Sequence, residues 1–161
     1  MINKKINIWF CIGLTIAALS GCRRSVTNNL INKVKYCDKH SNQGCKIDLN
    51  EVTGFTWDKM YLFGDWTNTD SITNAIKFNY QGSDVPDDYT RMLFTYQNKV
   101  VYEEDFKALF YNNSTLEFEG AIDSFEKSRP YQLNAPNATF FLKKSKINGT
   151  CAACFAYTLA R

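Results

Sequence analysis

Four cysteines, Cys37, Cys45, Cys151 and Cys154, are the residues of this chain whose type and spacing could do chemistry. Cys37 and Cys45 bracket a polar stretch with no apolar residue to pin it, and Cys151 and Cys154 form a Cys-x-x-Cys ten residues from the end. Such a set can make two structural disulfides, a dithiol redox centre at Cys151 and Cys154, or a zinc site in which His40 replaces one ligand. A redox Cys-x-x-Cys belongs at the start of a helix behind an early strand, whereas this one lies in strand-like sequence, so bridges are favoured. Three pairings are open to four cysteines. In an extended strand Cys151 and Cys154 would lie about 10 Å apart on opposite faces, beyond the roughly 7 Å limit, so their mutual pairing requires a turn at Ala152-Ala153. A link from the first pair to the second would close a loop of roughly 100 residues, worth about 4.7 kcal/mol against at most about 3 for the short loop. The expectation is at least one bridge between the Cys37/Cys45 pair and the Cys151/Cys154 pair.

Carboxylates come next. Glu103, Glu104 and Asp105, Asp87 and Asp88, and Glu117 and Glu119 place acids close in sequence, and two carboxylates suffice for glycoside hydrolysis. Adjacency is not that geometry, and acid runs beside strands usually form solvated edges. His40 is the only histidine, which leaves no paired-histidine metal motif, and it is expected as a solvated loop residue. No Gly-rich phosphate loop and no Gly-x-Ser-x-Gly elbow occurs. Lys143, Lys144 and Lys146 read as the solvated end of a hairpin. The remaining lead is aromatic: Trp66, Tyr80, Tyr89, Tyr111 and Tyr131 all stand beside loop signals and could form a platform for a glycan or protein partner.

The elements that must position these residues are strand-rich. In residues 55–63, Phe55, Trp57, Tyr61 and Phe63 share one face by period two, while Met60 and Leu62 make the other apolar, which predicts a central strand. Thr69 or Asp70 can cap a short helix over residues 71–78, with Ile72, Ala75 and Ile76 inward. Residues 91–96 and 100–102 flank Gln97-Asn98-Lys99 as an antiparallel hairpin. Phe106, Leu109 and Phe110 have helical spacing behind the acidic group, with a continued strand the alternative. Residues 116–119 alternate as a half-exposed strand, and residues 139–144 and 151–159 flank Asn148-Gly149 as a second hairpin. Near the start, Val26, Leu30 and Val34 recur every four residues, predicting one short helix inside an otherwise polar stretch.

Ahead of that stretch, Lys4 and Lys5 precede an apolar run over residues 6–19, too short to span a bilayer, which needs roughly 20 apolar residues. Charge, hydrophobe and small residues in this order make a secretory signal. Its end, Leu19-Ser20-Gly21-Cys22, resembles the lipobox of bacterial prolipoproteins. The resemblance implies cleavage before Cys22, diacylglycerol on its sulfur and acylation of the new amino terminus. It also favours the outer membrane, because Arg23 stands where inner-membrane lipoproteins typically carry aspartate. The run Phe55-Thr56-Trp57-Asp58-Lys59-Met60-Tyr61-Leu62-Phe63 resembles, more weakly, an aromatic-x-Trp-Asp-Lys-x-Tyr-x-Phe pattern of small uncharacterised bacterial lipoproteins. That pattern implies no reaction or ligand.

On this reading, residues 1–21 are a signal peptide, 22–36 a lipid-anchored and partly helical tether, and 37–161 one globular domain. Loss of Lys4 and Lys5 takes the 19 basic side chains to 17 against 16 acidic ones, so no electrostatic footprint for nucleic acid remains. The hydrophobic share of 45%, with 12 Phe and 9 Tyr, argues for a folded, strand-rich domain rather than disorder. The expected fold is α+β, mainly antiparallel with two or three short helices on one face, and an all-β barrel or sandwich is the alternative. The expected role is that of an envelope lipoprotein acting as a non-catalytic binding or inhibitor module. It would need no cofactor or metal, would contact the membrane through the lipid on Cys22, and would take a protein or glycan partner. A periplasmic thiol redox enzyme or a carboxylate hydrolase is the alternative.

Overall fold

A computed structural model of the chain describes residues 25–40, 45–107, 110–111, 114–121, 124, 129–146 and 155–161. The first element, α1 (Val26–His40), follows from its apolar stripe: Val26, Leu30, Val34 and Cys37 recur at helical spacing and are all buried. Ser25 caps it by accepting the Asn28 N–H at 3.1 Å, and Lys39 and His40 sit in the last turn, where a cation suits the helix dipole. Residues 26–36, expected within a partly helical tether, are thus part of the core, because the same period-four stripe that marks a helix also buries it. Cys37 to His40, expected as loop, are the last turn of that helix.

After β1 (Cys45–Asp48), Asp48 caps the short α2 (Leu49–Thr53) by accepting the Asn50 N–H at 2.9 Å. Gly54 ends α2 at φ 68°, where a side chain would be strained. The strand expected over residues 55–63 is shorter, β2 (Lys59–Phe63). Within β2 the alternation holds, with Met60 and Leu62 in one core and Tyr61 and Phe63 in another, but Phe55 and Trp57, expected on the Tyr61 face, join the Met60 core because they precede the strand and do not share its period. The cap of α3 (Thr69–Ile76) is Asn68, one residue ahead of the expected ones, accepting the Ser71 N–H at 2.8 Å. Gln97 and Asn98, at φ 50° and 57°, make the two-residue turn between β3 (Thr90–Tyr96) and β4 (Lys99–Phe106). Phe106 thus continues a strand and starts no helix.

The remaining strands are β5 (Phe110–Tyr111), β6 (Ser114–Phe118), β7 (Tyr131–Asn134), β8 (Thr139–Lys146) and β9 (Phe155–Ala160). They complete two sheets, ordered β4-β3-β2-β7 and β1-β8-β9-β6-β5, antiparallel throughout except for the parallel pair β6 and β9. The chain is α+β, and neither sheet closes into a barrel. One core joins both sheets through α1, α2 and strand residues such as Met92, Phe94, Phe118, Phe140 and Tyr157. A second, on the other face of the four-stranded sheet, packs Tyr61, Phe63 and Leu93 against Ile72 and Ile76 of α3, with Tyr80 and Val85. The helices thus take both faces of that sheet rather than one, since β2 and β3 are apolar on both sides.

Cys37 and Cys45 are joined to each other, their Cα atoms 5.4 Å apart. This overturns the expected link from either to Cys151 or Cys154: the helix carries Cys37 to the start of β1, so the nearest partner is eight residues away in sequence. Cys151, Cys154 and the Asn148-Gly149 turn lie outside the described residues, although β8 and β9 pair antiparallel as that hairpin requires.

Candidate functional site

The acids of β4 lie on an edge strand, Glu103 exposed and Glu104 and Asp105 half-buried, yet all three are hydrogen-bonded. Because successive strand residues point to opposite faces, Glu103 and Asp105 share the α3 face and Glu104 faces α1. Each has its own partner. Arg91 of β3, 3% exposed, donates to both oxygens of Asp105, from Nε at 2.7 Å and from Nη2 at 2.6 Å. Its Nη1 donates to the Tyr80 hydroxyl at 2.6 Å and to the Ser83 carbonyl. The Tyr80 hydroxyl in turn donates to Glu103 at 2.8 Å. Burial, aided by the Glu103 hydrogen bond, pushes the Tyr80 phenol up to about 12, against the opposing pull of Arg91. The group ties the loop over residues 80–89 to β3 and β4.

Glu104 closes the amino end of α1. It accepts the hydroxyl of Ser25, the hydroxyl of Thr27 at 2.6 Å, the Thr27 N–H at 3.2 Å and the Tyr102 hydroxyl at 2.7 Å. Burial alone would raise its carboxyl, and these hydrogen bonds outweigh it, holding the group below the ordinary glutamate range. The first turn of α1 contains no acid of its own, so Glu104 supplies from β4 the negative charge that a helix amino end favours.

The five aromatics singled out by the sequence do not form one platform. Tyr80 and Tyr131 are buried, and the Tyr131 hydroxyl accepts from Arg161 at 3.0 Å. Tyr89 is half-buried, with the Lys107 ammonium 5.3 Å from its ring centroid. Tyr111 lies in β5. Trp66 is open, at 75% exposure. Of the other candidates, His40 is helical rather than in a loop; its ring stacks on Tyr36, and its Nδ1 meets the Tyr36 carbonyl at 2.9 Å. Lys143 pairs with Glu119 and Lys144 with Asp38, both lysines remaining exposed on β8. Cys22 lies outside the described residues. Among the described residues no three His, Cys, Asp or Glu side chains converge to hold a metal ion, and no helix is long and apolar enough to cross a membrane.

Trp66 stands over a cleft of about 370 Å³ lined by Phe63, Asp65, Ser71, Arg129 and Pro130 among others. The turn that carries it is held from both sides. The Thr67 hydroxyl donates to the Gly64 carbonyl at 2.7 Å, and the Thr67 carbonyl accepts the Val85 N–H at 2.9 Å. Trp66 itself sits at φ 61°, a conformation that costs a bulky residue of order 1 kcal/mol or more and collects at functional positions. An indole face and a carboxylate on a fixed turn, with a guanidinium and a serine hydroxyl lining the same cleft, can stack on and hydrogen-bond a polar ligand. Arg129 was absent from the sequence-level candidates, since nothing in its neighbourhood marks it and only the fold brings it beside Trp66. Compared with known protein families, curated proteins and solved structures, the chain matches none.

Proposed function

We propose that this protein is a lipid-anchored, non-catalytic binding module of the bacterial envelope that takes a protein or glycan partner at the Trp66 cleft. The observation that carries the reading is Trp66, 75% exposed on a turn with positive φ beside Arg129 and Asp65. Tryptophan and arginine supply much of the energy where proteins are recognised, and the same indole face stacks on sugars. The address comes from Leu19-Ser20-Gly21-Cys22. The three β4 acids argue for binding over hydrolysis, because each is engaged by a different structural partner.

Two arms test it. Soluble cell-wall and surface saccharides are titrated against the fluorescence of the full chain, and a photoreactive side chain at position 66 is cross-linked in intact cells. The expected result is a saturable shift with one saccharide class or one discrete protein adduct, lost in both Trp66→Ala and Arg129→Glu. Binding that survives both substitutions removes the cleft from the function.

A further inference from the structure

The described fold begins at Ser25, three residues after Cys22 in sequence. Ser25 caps α1 and Val26 is fully buried, and three residues of extended chain span at most about 11 Å. An acylated Cys22 thus holds the α1 amino end close against its bilayer, with no room for a spacer. The strand registers set what else lies at that end. Glu104, which grips Ser25 and Thr27, stands opposite Met92, and Met92 opposite Leu62. Those rows are two strand spacings apart, about 10 Å. Two residues beyond Leu62 begins the turn of Trp66. The loop over residues 82–89 joins the same end, through the Val85 N–H on Thr67 and the entry of Tyr89 into β3, and Lys107 leaves β4 there beside the Tyr89 ring.

The geometry points to Trp66 as a second, peripheral membrane anchor: the end of the four-stranded sheet carrying residues 64–67 faces the bilayer that holds Cys22, with the indole in its interfacial layer. The inference rests on the lipid anchor proposed above and narrows the partner of the cleft to one borne by the same membrane. Tryptophan concentrates at the membrane–water boundary, where its apolar ring and its N–H are both satisfied. Acyl anchoring also becomes firmer when a second signal is added. At this end the exposed Asp65, Asp87 and Asp88 stand against Lys107 and Arg129, and Arg23 and Arg24 follow the anchored cysteine in sequence. On a zwitterionic surface the contact is made by the indole and the acyl chains and is insensitive to salt.

The acylated chain, freed of residues 1–21, carries two tryptophans, Trp57 at 4% exposure and Trp66 at 75%. In phosphatidylcholine vesicles the difference between wild type and Trp66→Phe isolates the Trp66 emission. That emission should lie to the blue of its position in Cys22→Ser in solution, lose intensity with lipids brominated near the headgroup, and be shielded from aqueous iodide. None of this should change at about 1 M salt, where screening reaches about 3 Å. Trp66 emission open to iodide and untouched by bromolipid, in a chain whose amino-terminal peptide carries acyl mass, overturns the inference and leaves the anchor standing. A chain without acyl mass overturns both. Shielding from iodide that arises only on adding a saccharide or protein, without bromolipid quenching, gives the indole to that partner and also overturns the inference.

Discussion

Glu104 reaches from β4 to accept both the backbone N–H and the hydroxyl of Thr27, 77 residues earlier, and so fastens the amino end of α1 to an edge strand of the four-stranded sheet. Glu104→Gln keeps the shape and loses the charge, which is expected to cost about 1–3 kcal/mol in urea denaturation at pH 7. The pH dependence has a definite sign. The folded carboxyl lies below the ordinary value of about 4.3, so its contribution is complete above that value and is lost as pH falls through the lower folded one. The gap between wild type and Glu104→Gln should narrow below about pH 4.

Arg91 is a buried cation whose removal strands Asp105 and Tyr80. Arg91→Ala is expected to cost about 3–5 kcal/mol by chemical denaturation, and Arg91→Lys most of that, because an ammonium cannot reproduce the two-pronged bond to Asp105.

Tyr80 gives that cluster an alkaline signature. Its folded phenol is pushed up to about 12 from an ordinary 10, so the stability it contributes is whole below pH 10 and is lost as pH rises through 12. Ultraviolet difference titration should show one phenolate fewer in this range for the Tyr80→Phe chain, and a lower value for the same tyrosine in urea.

The disulfide closes a short loop. By the chain-entropy relation, removing it as Cys37→Ser with Cys45→Ser should cost roughly 2.5 kcal/mol, well short of the 4.7 kcal/mol or so of a long staple. Non-reducing peptide mapping should yield Cys37 linked to Cys45 and no peptide joining either to Cys151 or Cys154.

Trp57 is buried, its indole N–H has no partner among the described residues, and its ring packs edge-on to Phe94 at 5.1 Å. Losing the orphan donor offsets part of the lost volume, so Trp57→Phe should cost less than about 1.5 kcal/mol, whereas Trp57→Ala should cost about 3–5. A larger penalty for Trp57→Phe in thermal denaturation would mean that the N–H has a partner.

What the sequence by itself determined is local. The alternation read over residues 55–63 marks a central strand with two apolar faces, correct for Lys59 to Phe63 and not for Phe55 and Trp57, and period four over Val26, Leu30 and Val34 marks the first helix. The hairpin about Gln97-Asn98-Lys99 was equally plain, although Lys99 already belongs to β4. Each signal lies within a few residues because the contacts that reward it recur at the pitch of a single element. What only the tertiary structure decided is pairing across distance: Cys37 with Cys45 rather than the far pair, Arg91 with Asp105, Glu104 with Ser25 and Thr27, β6 parallel to β9, and Arg129 beside Trp66. An acid in a charge run carries no mark of its partner. A helix that continued through Cys37 brought that residue to Cys45, and strand registers that put Glu103 and Glu104 on opposite faces gave the two acids separate partners, since a one-residue shift would have exchanged those faces.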